Sequence, residues 1–143
     1  MARALSSETL HATSVAIDGR VVLLCGPSGA GKSDLALRLI DRGAMLVSDD
    51  YTLLKRVDGR LIATAPQTIS GRMEVRGLGI VDMPVLAEAP VALLADLFEK
   101  VDRMPLTPVH RALAGINVPV MKIAPFELSA AIKVELALKA IGL

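Results

Sequence analysis

Aromatic residues are nearly missing from this 143-residue chain, which holds no Trp, one Tyr and two Phe. Proteins that grip single-stranded nucleic acid stack bases on such side chains, and here acids and bases are interspersed at a formal net charge of +1. Nucleic acid is therefore not an expected partner, and neither is an anionic membrane surface. Cysteine is missing too, apart from Cys25. One thiol allows no internal disulfide, in keeping with a reducing cytosol. Its place inside an apolar run reads as a small core residue rather than a nucleophile. Long hydrophobic runs are absent although 52% of residues are hydrophobic; stretches such as Pro90 to Ala95 are far too short to span a bilayer. The first residues lack the apolar centre of a signal peptide. The expectation is a cytoplasmic protein without a membrane segment, forming one domain over residues 1–143, with residues 1–10 a loose lead-in or short helix.

What is present is organised around Gly26-Pro27-Ser28-Gly29-Ala30-Gly31-Lys32-Ser33, which fits the phosphate-binding loop pattern in full. It follows the apolar run Val21 to Cys25 and opens a helical stretch ending at Arg42-Gly43, the strand–loop–helix setting that the pattern requires. Glycines let successive N–H groups point inward at an anion, and the helix start adds its positive dipole end. Lys32 then reaches the β- and γ-phosphates and the Ser33 hydroxyl is placed for a magnesium ion. Nucleoside triphosphate binding is the firm point.

Asp18-Gly19 and Asp58-Gly59 each sit between two apolar runs, a strong signal for two-residue hairpins. The first makes the strand before the loop antiparallel to its neighbour. If Ile17 pairs with Arg20, His11 falls opposite Gly26. On this ladder alone His11 is open between a site group beside the phosphates and a surface residue at a strand start. Ala44 to Val47 reads as a short buried strand that delivers Ser48-Asp49-Asp50 at its C-terminal end, where ligands bind in open α/β sheets. Asp82 and Asp96 follow apolar runs too. Asp49 and Asp50 are preferred because they come directly after the loop helix, and two adjacent carboxylates are costly without a cation. One carboxylate could hold Mg²⁺ while the other accepts a proton from an attacking hydroxyl.

Met73 to Asp82 mixes charge and glycines in a strand-like run, where the glycines mark a bulge or a close backbone approach, with a plain bulged strand as the other reading. Val91 to Phe98 and Val118 to Ile123 read as strands. Thr107 to Ala114 reads as a short helix carrying a surface His110. Glu127 to Ile141 reads as a helix with a Glu135/Lys139 pair and apolar residues on most of its circumference, which points to a subunit interface.

The loop, the double aspartate and Glu74-Val-Arg-Gly-Leu-Gly-Ile80 together resemble HPr kinase/phosphorylase. The likeness is to the catalytic domain of the short, alphaproteobacterial-type forms without the usual N-terminal domain, and runs from about His11 to the C-terminal helix. It implies an α/β phosphate-loop domain akin to phosphoenolpyruvate carboxykinase, with a mixed, largely antiparallel sheet, the loop helix and a C-terminal helix. It also implies ATP as substrate, Mg²⁺ as cofactor, HPr as protein partner, phosphate and pyrophosphate in the reverse reaction, and a homo-oligomer, typically a hexamer. By the same resemblance Asp50 is the proton acceptor, assisted by Asp49, and His11 a catalytic histidine. Glu74 becomes a metal ligand beside Ser33 and Asp49, and Arg103 matches a catalytic arginine. Val118 to Ile123 resembles the stretch linked to phosphatase activity, but Pro125-Phe126-Glu127 departs from the family's continuation. Rival readings on the same core are a metabolite kinase or carboxykinase-like enzyme, a nucleotide-binding sensor, and a GTPase-type switch. The last is disfavoured by the absence of an Asn-Lys-x-Asp guanine-reading motif.

Overall fold

The computed structural model describes residues 6–104 and 107–142 as eleven strands and two α-helices. In chain order these are β1 Ser7–Leu10, β2 Ala12–Ile17, β3 Arg20–Cys25, α1 Lys32–Asp41 and β4 Met45–Ser48. Then come β5 Thr52–Val57, β6 Arg60–Thr64, β7 Arg72–Val75, β8 Gly79–Asp82 and β9 Glu88–Leu97. The chain closes with β10 Val109–Leu113, β11 Ile116–Ile123 and α2 Ala130–Ile141. No helix among the described residues is long and apolar enough to cross a membrane.

Nine strands form one sheet in the order β1-β5-β6-β9-β3-β2-β4, with β11 joined to β9 and β10 to β11. Pairing is antiparallel except at β3–β9 and β9–β11, so the mixed, largely antiparallel sheet is as expected. Ile17 pairs with Arg20 and Val57 with Arg60. Both Asp-Gly hairpins therefore have the predicted register, with Asp18 and Gly19 at φ 51° and 77°, as a two-residue type I′ turn demands.

Strands β3, β4, β9 and β11 run in the same direction, so their C-terminal ends meet at one end of the sheet. The alternation along β3 buries both faces: Val22 and Leu24 lie under the helices with Leu35, Leu39, Val134 and Leu138, while Val21 and Leu23 pack with Leu54, Leu61, Leu94 and Val118. That second face is covered by the sheet curling on itself. The Glu8 carboxylate accepts a hydrogen bond from the Ala114 amide at 2.9 Å, tying β1 to the β10–β11 turn. Helix α1 stops where the Ala44 amide reaches back to Leu39 O at 3.0 Å, a Schellman-type closure.

Four expectations are corrected. Residues Ser7–Leu10 are a strand paired with β5, not a loose lead-in; residues 1–5 of that stretch lie outside the described residues. Val109–Leu113 is a strand rather than part of a helix, because Leu113 pairs with Ile116 across a two-residue Ala114-Gly115 turn; His110 is exposed there, as expected. The run from Met73 to Asp82 is not one bulged strand but a separate two-stranded hairpin, β7–β8. On α2, Glu135 pairs with Arg42 of α1 at 2.8 Å rather than with Lys139, since this contact staples the two helices.

Candidate active site

The glycine-rich loop leaves β3 and enters α1 through Gly31, in the left-handed region at φ 104°. Lys32 begins the helix and is buried. Its Nζ donates to the carbonyls of Gly26 at 2.7 Å and Pro27 at 3.2 Å, which holds the amine folded over the loop. An ammonium carries three N–H donors, so one is left to face a ligand. Cys25, just before the loop, is buried, and burial pushes its thiol up to about 11. It is a protonated core residue, as expected.

Asp49 leaves β4 buried at 8% exposure, at the centre of a closed network. Its Oδ1 accepts from Ser33 Oγ at 2.8 Å and from Thr13 Oγ1 at 3.0 Å, and its Oδ2 from the Glu74 amide at 3.1 Å. A buried carboxylate is tolerated when its lone pairs are filled in this way. Thr13 is itself fully buried and also accepts from the Asp50 amide at 3.2 Å. One hydroxyl thus fixes both acids.

Asp50 is the opposite case. Its backbone is left-handed at φ 68°, a region Asp and Asn tolerate better than most residues, and the Tyr51 amide closes back on Asp49 O at 2.8 Å. This reversal sends neighbouring carboxylates in different directions. Asp50 Oδ1 accepts from His11 Nε2 at 2.8 Å, and the side chains are 57% and 39% exposed. His11 stacks on Tyr51, ring centroids 5.0 Å apart. The β2–β3 ladder ends at the Ala12–Cys25 pair, one residue short of the expected His11–Gly26 pair, and His11 turns instead to Asp50 and Tyr51.

A cleft of about 700 Å³ brings the loop, Asp49 and Asp50 together; His11 is not among its lining residues and meets it through Asp50. The cleft floor includes Lys32, Ser33, Asp49 and Asp50, and the β7–β8 hairpin forms a wall carrying Glu74 and Arg76. Glu74 is bound to Asp49 through its main chain, and its side chain lies at the cleft. Arg103 does not line the cleft. It is exposed on the segment after β9 and makes none of the hydrogen bonds or ion pairs found among the described residues. Arg76 is the cleft's second cation, inside the run that carried the family resemblance. Thr13 gave no sequence signal beyond one hydroxyl in a β-branched run, and Phe126, also at the cleft, stood out only as a departure from the family pattern.

A phosphate loop at the ends of same-direction strands, with a buried and an exposed carboxylate beside it, defines a phosphate-loop domain on a mixed sheet. The chain matches the family described as HPr Serine kinase C-terminal domain over residues 3–136, and it belongs to that family. It is 39% identical over 132 residues to a Clostridium tetani protein named HPr kinase/phosphorylase, covering 83% of this chain and 43% of that one. A Clostridium beijerinckii protein of the same name is 47% identical over 87 residues, covering 60% of this chain and 29% of its own. The chain thus spans less than half the length of the curated relatives it matches. The solved structure of the Hpr(Ser) kinase/phosphatase from Coxiella burnetii superposes with a TM-score of 0.79 at 33% identity, covering 93% of this chain and 95% of that chain.

Proposed function

We propose that this chain is a catalytic domain that transfers the γ-phosphoryl group of ATP to a serine hydroxyl of the phosphocarrier protein HPr, and that it also runs the phosphorolytic return. The observation that carries this is the pairing of a buried Asp49, bonded to Ser33, Thr13 and the Glu74 amide, with an open, His-bonded Asp50 on the next residue.

The residues fit a magnesium ion. Mg²⁺ is usually held by one or two carboxylates together with substrate phosphates and water, and here Ser33 Oγ and Asp49 are already side by side, with Glu74 at the same cleft. When bound, the ion neutralises charge on the phosphates. The loop N–H groups and Lys32 hold the triphosphate, and Arg76, in place of Arg103, adds the second positive charge. His11 occupies Asp50 Oδ1, leaving Oδ2 for the serine proton. As that proton moves to Oδ2, the serine oxygen bonds to the γ-phosphorus and the bond to the β–γ bridging oxygen breaks, releasing ADP. In the return, inorganic phosphate attacks phosphoserine, protonated Asp50 returns the proton to the serine oxygen, and pyrophosphate leaves. Positioning and charge neutralisation supply most of the rate.

The outer face of α2 shows Ile132, Leu136 and Ile141, which supports a homo-oligomer, a hexamer by analogy with the family. A cytoplasmic setting follows from HPr as partner. The test is intact-mass spectrometry of HPr after incubation with this protein, Mg²⁺ and ATP. One added phosphate, lost when the HPr serine is replaced by alanine, is the expected result. ATP binding without transfer would move the reading to a metabolite kinase or a sensor.

A further inference from the structure

Across the phosphate loop from Asp49, a second hollow of about 410 Å³ opens between the ends of β9 and β11. Phe98 and Glu99 stand on one side of it, Pro125 and Phe126 on the other, with Ser28 and Gly29 of the loop between. Ser28, Gly29 and Phe126 also line the catalytic cleft. The two hollows therefore form one trough that crosses the loop.

Two of the chain's three aromatic residues stand at one end of this trough. None serves the core: Tyr51, Phe98 and Phe126 are 47%, 41% and 70% exposed. Tyr51 stacks on His11, and both phenylalanines line the second hollow. Lys122 sits 5.3 Å from the Phe98 ring centroid. Phe126 Cζ lies 2.9 Å from where a Cβ on Gly31 would be, so one edge of the ring is set on the loop backbone. A ring fixed at one edge and open over most of its surface is a platform for a flat ligand.

A triphosphate on the loop with its γ end toward Lys32, Ser33 and Asp50 has its nucleoside at the far end, and the trough offers one place there. We infer that the second hollow is the nucleoside subsite, with the nucleobase stacked on Phe126 and Phe98 as its outer wall. This rests on the nucleotide reading of the phosphate loop and adds how the nucleoside is held.

The experiment measures calorimetric affinity for ATP and for inorganic tripolyphosphate, both with Mg²⁺, on the full chain and its Phe126→Ala and Phe126→Trp variants. The wild type should bind ATP more tightly than tripolyphosphate. Phe126→Ala should lose a factor of roughly ten to a hundred for ATP, the range for one base–aromatic stack, and keep tripolyphosphate within about twofold, since none of the groups that hold the phosphates is removed. Phe126→Trp should restore ATP binding. Because the chain has no other Trp, its emission should change with ATP and not with tripolyphosphate. Equal weakening toward both ligands would overturn the subsite by reducing Phe126 to a loop support, and so would unaltered ATP affinity or an indole blind to ATP. A wild type that holds tripolyphosphate as tightly as ATP overturns the subsite alone; one that holds neither overturns the kinase reading with it.

Discussion

The β2–β3 hairpin leads into the loop that floors the cleft and the β7–β8 hairpin walls it, yet ten of twelve strand residues are buried in the first and Met73 alone of eight in the second. The difference lies in their edges. β2 and β3 pair with each other along their whole length and are flanked by β4 and β9, so most ladder positions are paired on both sides and both faces are covered. β7 and β8 pair only with each other, and such a ribbon is marginal in water on its own. It is held by buried Met73, by the Glu74 amide on Asp49, and by the bonds of Leu46 on β4 to the chain that follows β8, from its amide to Pro84 O at 3.2 Å and to its carbonyl from the Leu86 amide at 3.0 Å. The glycine-rich loop and the two acids thus follow from a buried frame, and the wall across the cleft from them is mostly exposed and more lightly attached.

If the frame exists to aim two acids differently, the sharpest test is a change of charge with no change of shape. Asn tolerates the left-handed backbone that Asp50 adopts, so Asp50→Asn keeps the reversal and removes the base. Phosphoryl transfer to the serine should fall by about 10²–10⁴-fold, the usual worth of a positioned base, while calorimetric ATP affinity stays within about threefold. Transfer within tenfold of wild type would remove Asp50 from the chemistry.

Next in size is the hydroxyl that joins the two acids. Thr13→Val keeps the β-branched shape but leaves the Asp50 amide without its acceptor and Asp49 Oδ1 with one donor fewer. Unfolding in urea should become easier by about 1–3 kcal/mol, and kcat should drop about tenfold with KM for ATP little changed. Thr13→Ser should recover most of both. A Val variant as active and stable as wild type would mean that the frame does not aim the acids through Thr13.

Much of this frame was legible in the chain before any coordinates. Asp18-Gly19 and Asp58-Gly59 set their hairpins because a two-residue turn leaves no freedom in register, and that arithmetic holds as far as the Ala12–Cys25 pair, beside His11. The third hairpin was hidden because Ala114 occupies its left-handed position at φ 48°. Alanine is no turn signal, and what holds it is tertiary: it is buried and its amide is bound to Glu8, more than a hundred residues away. Gly77 and Gly79 looked like bulges within one strand, whereas the Leu78 amide closes on Val75 O at 2.9 Å and makes a turn. The opposite aims of Asp49 and Asp50 depend on one backbone torsion. That Arg76 lines the cleft and Arg103 does not depends on where a separate hairpin docks, and neither this nor the torsion can be read from residue types.

A smaller effect follows from the far face of the frame. Burial raises the Cys25 thiol from 9.0 to about 11. Below pH 9 both folded and unfolded chains keep the proton. Between pH 9 and about 11 the unfolded chain loses it while the folded one holds it, so stability falls as pH rises. The Cys25 share of that slope should approach about 1 kcal/mol per pH unit. Urea midpoints across this range should show it in the wild type and a shallower slope in Cys25→Ala; identical slopes would mean that the thiol is not sealed beneath the sheet.

The smallest effect is expected on the hairpin wall, and it completes the contrast. Leu78 and Ile80 are 78% and 67% exposed, so removing their apolar surface takes almost nothing from the folded core. Leu78→Ser should shift the unfolding free energy by less than about 0.5 kcal/mol, as exposed substitutions away from caps and turns that need special torsions usually do. Met73→Ala on the same hairpin should cost about 2–5 kcal/mol, because that side chain is 1% exposed and packs into the helix-covered core. A large loss from Leu78→Ser would show that the wall is covered in solution and belongs to the rigid part of the molecule. A small loss from Met73→Ala would show that the hairpin detaches without disturbing the frame, leaving Asp49 to be held by Ser33 and Thr13 alone.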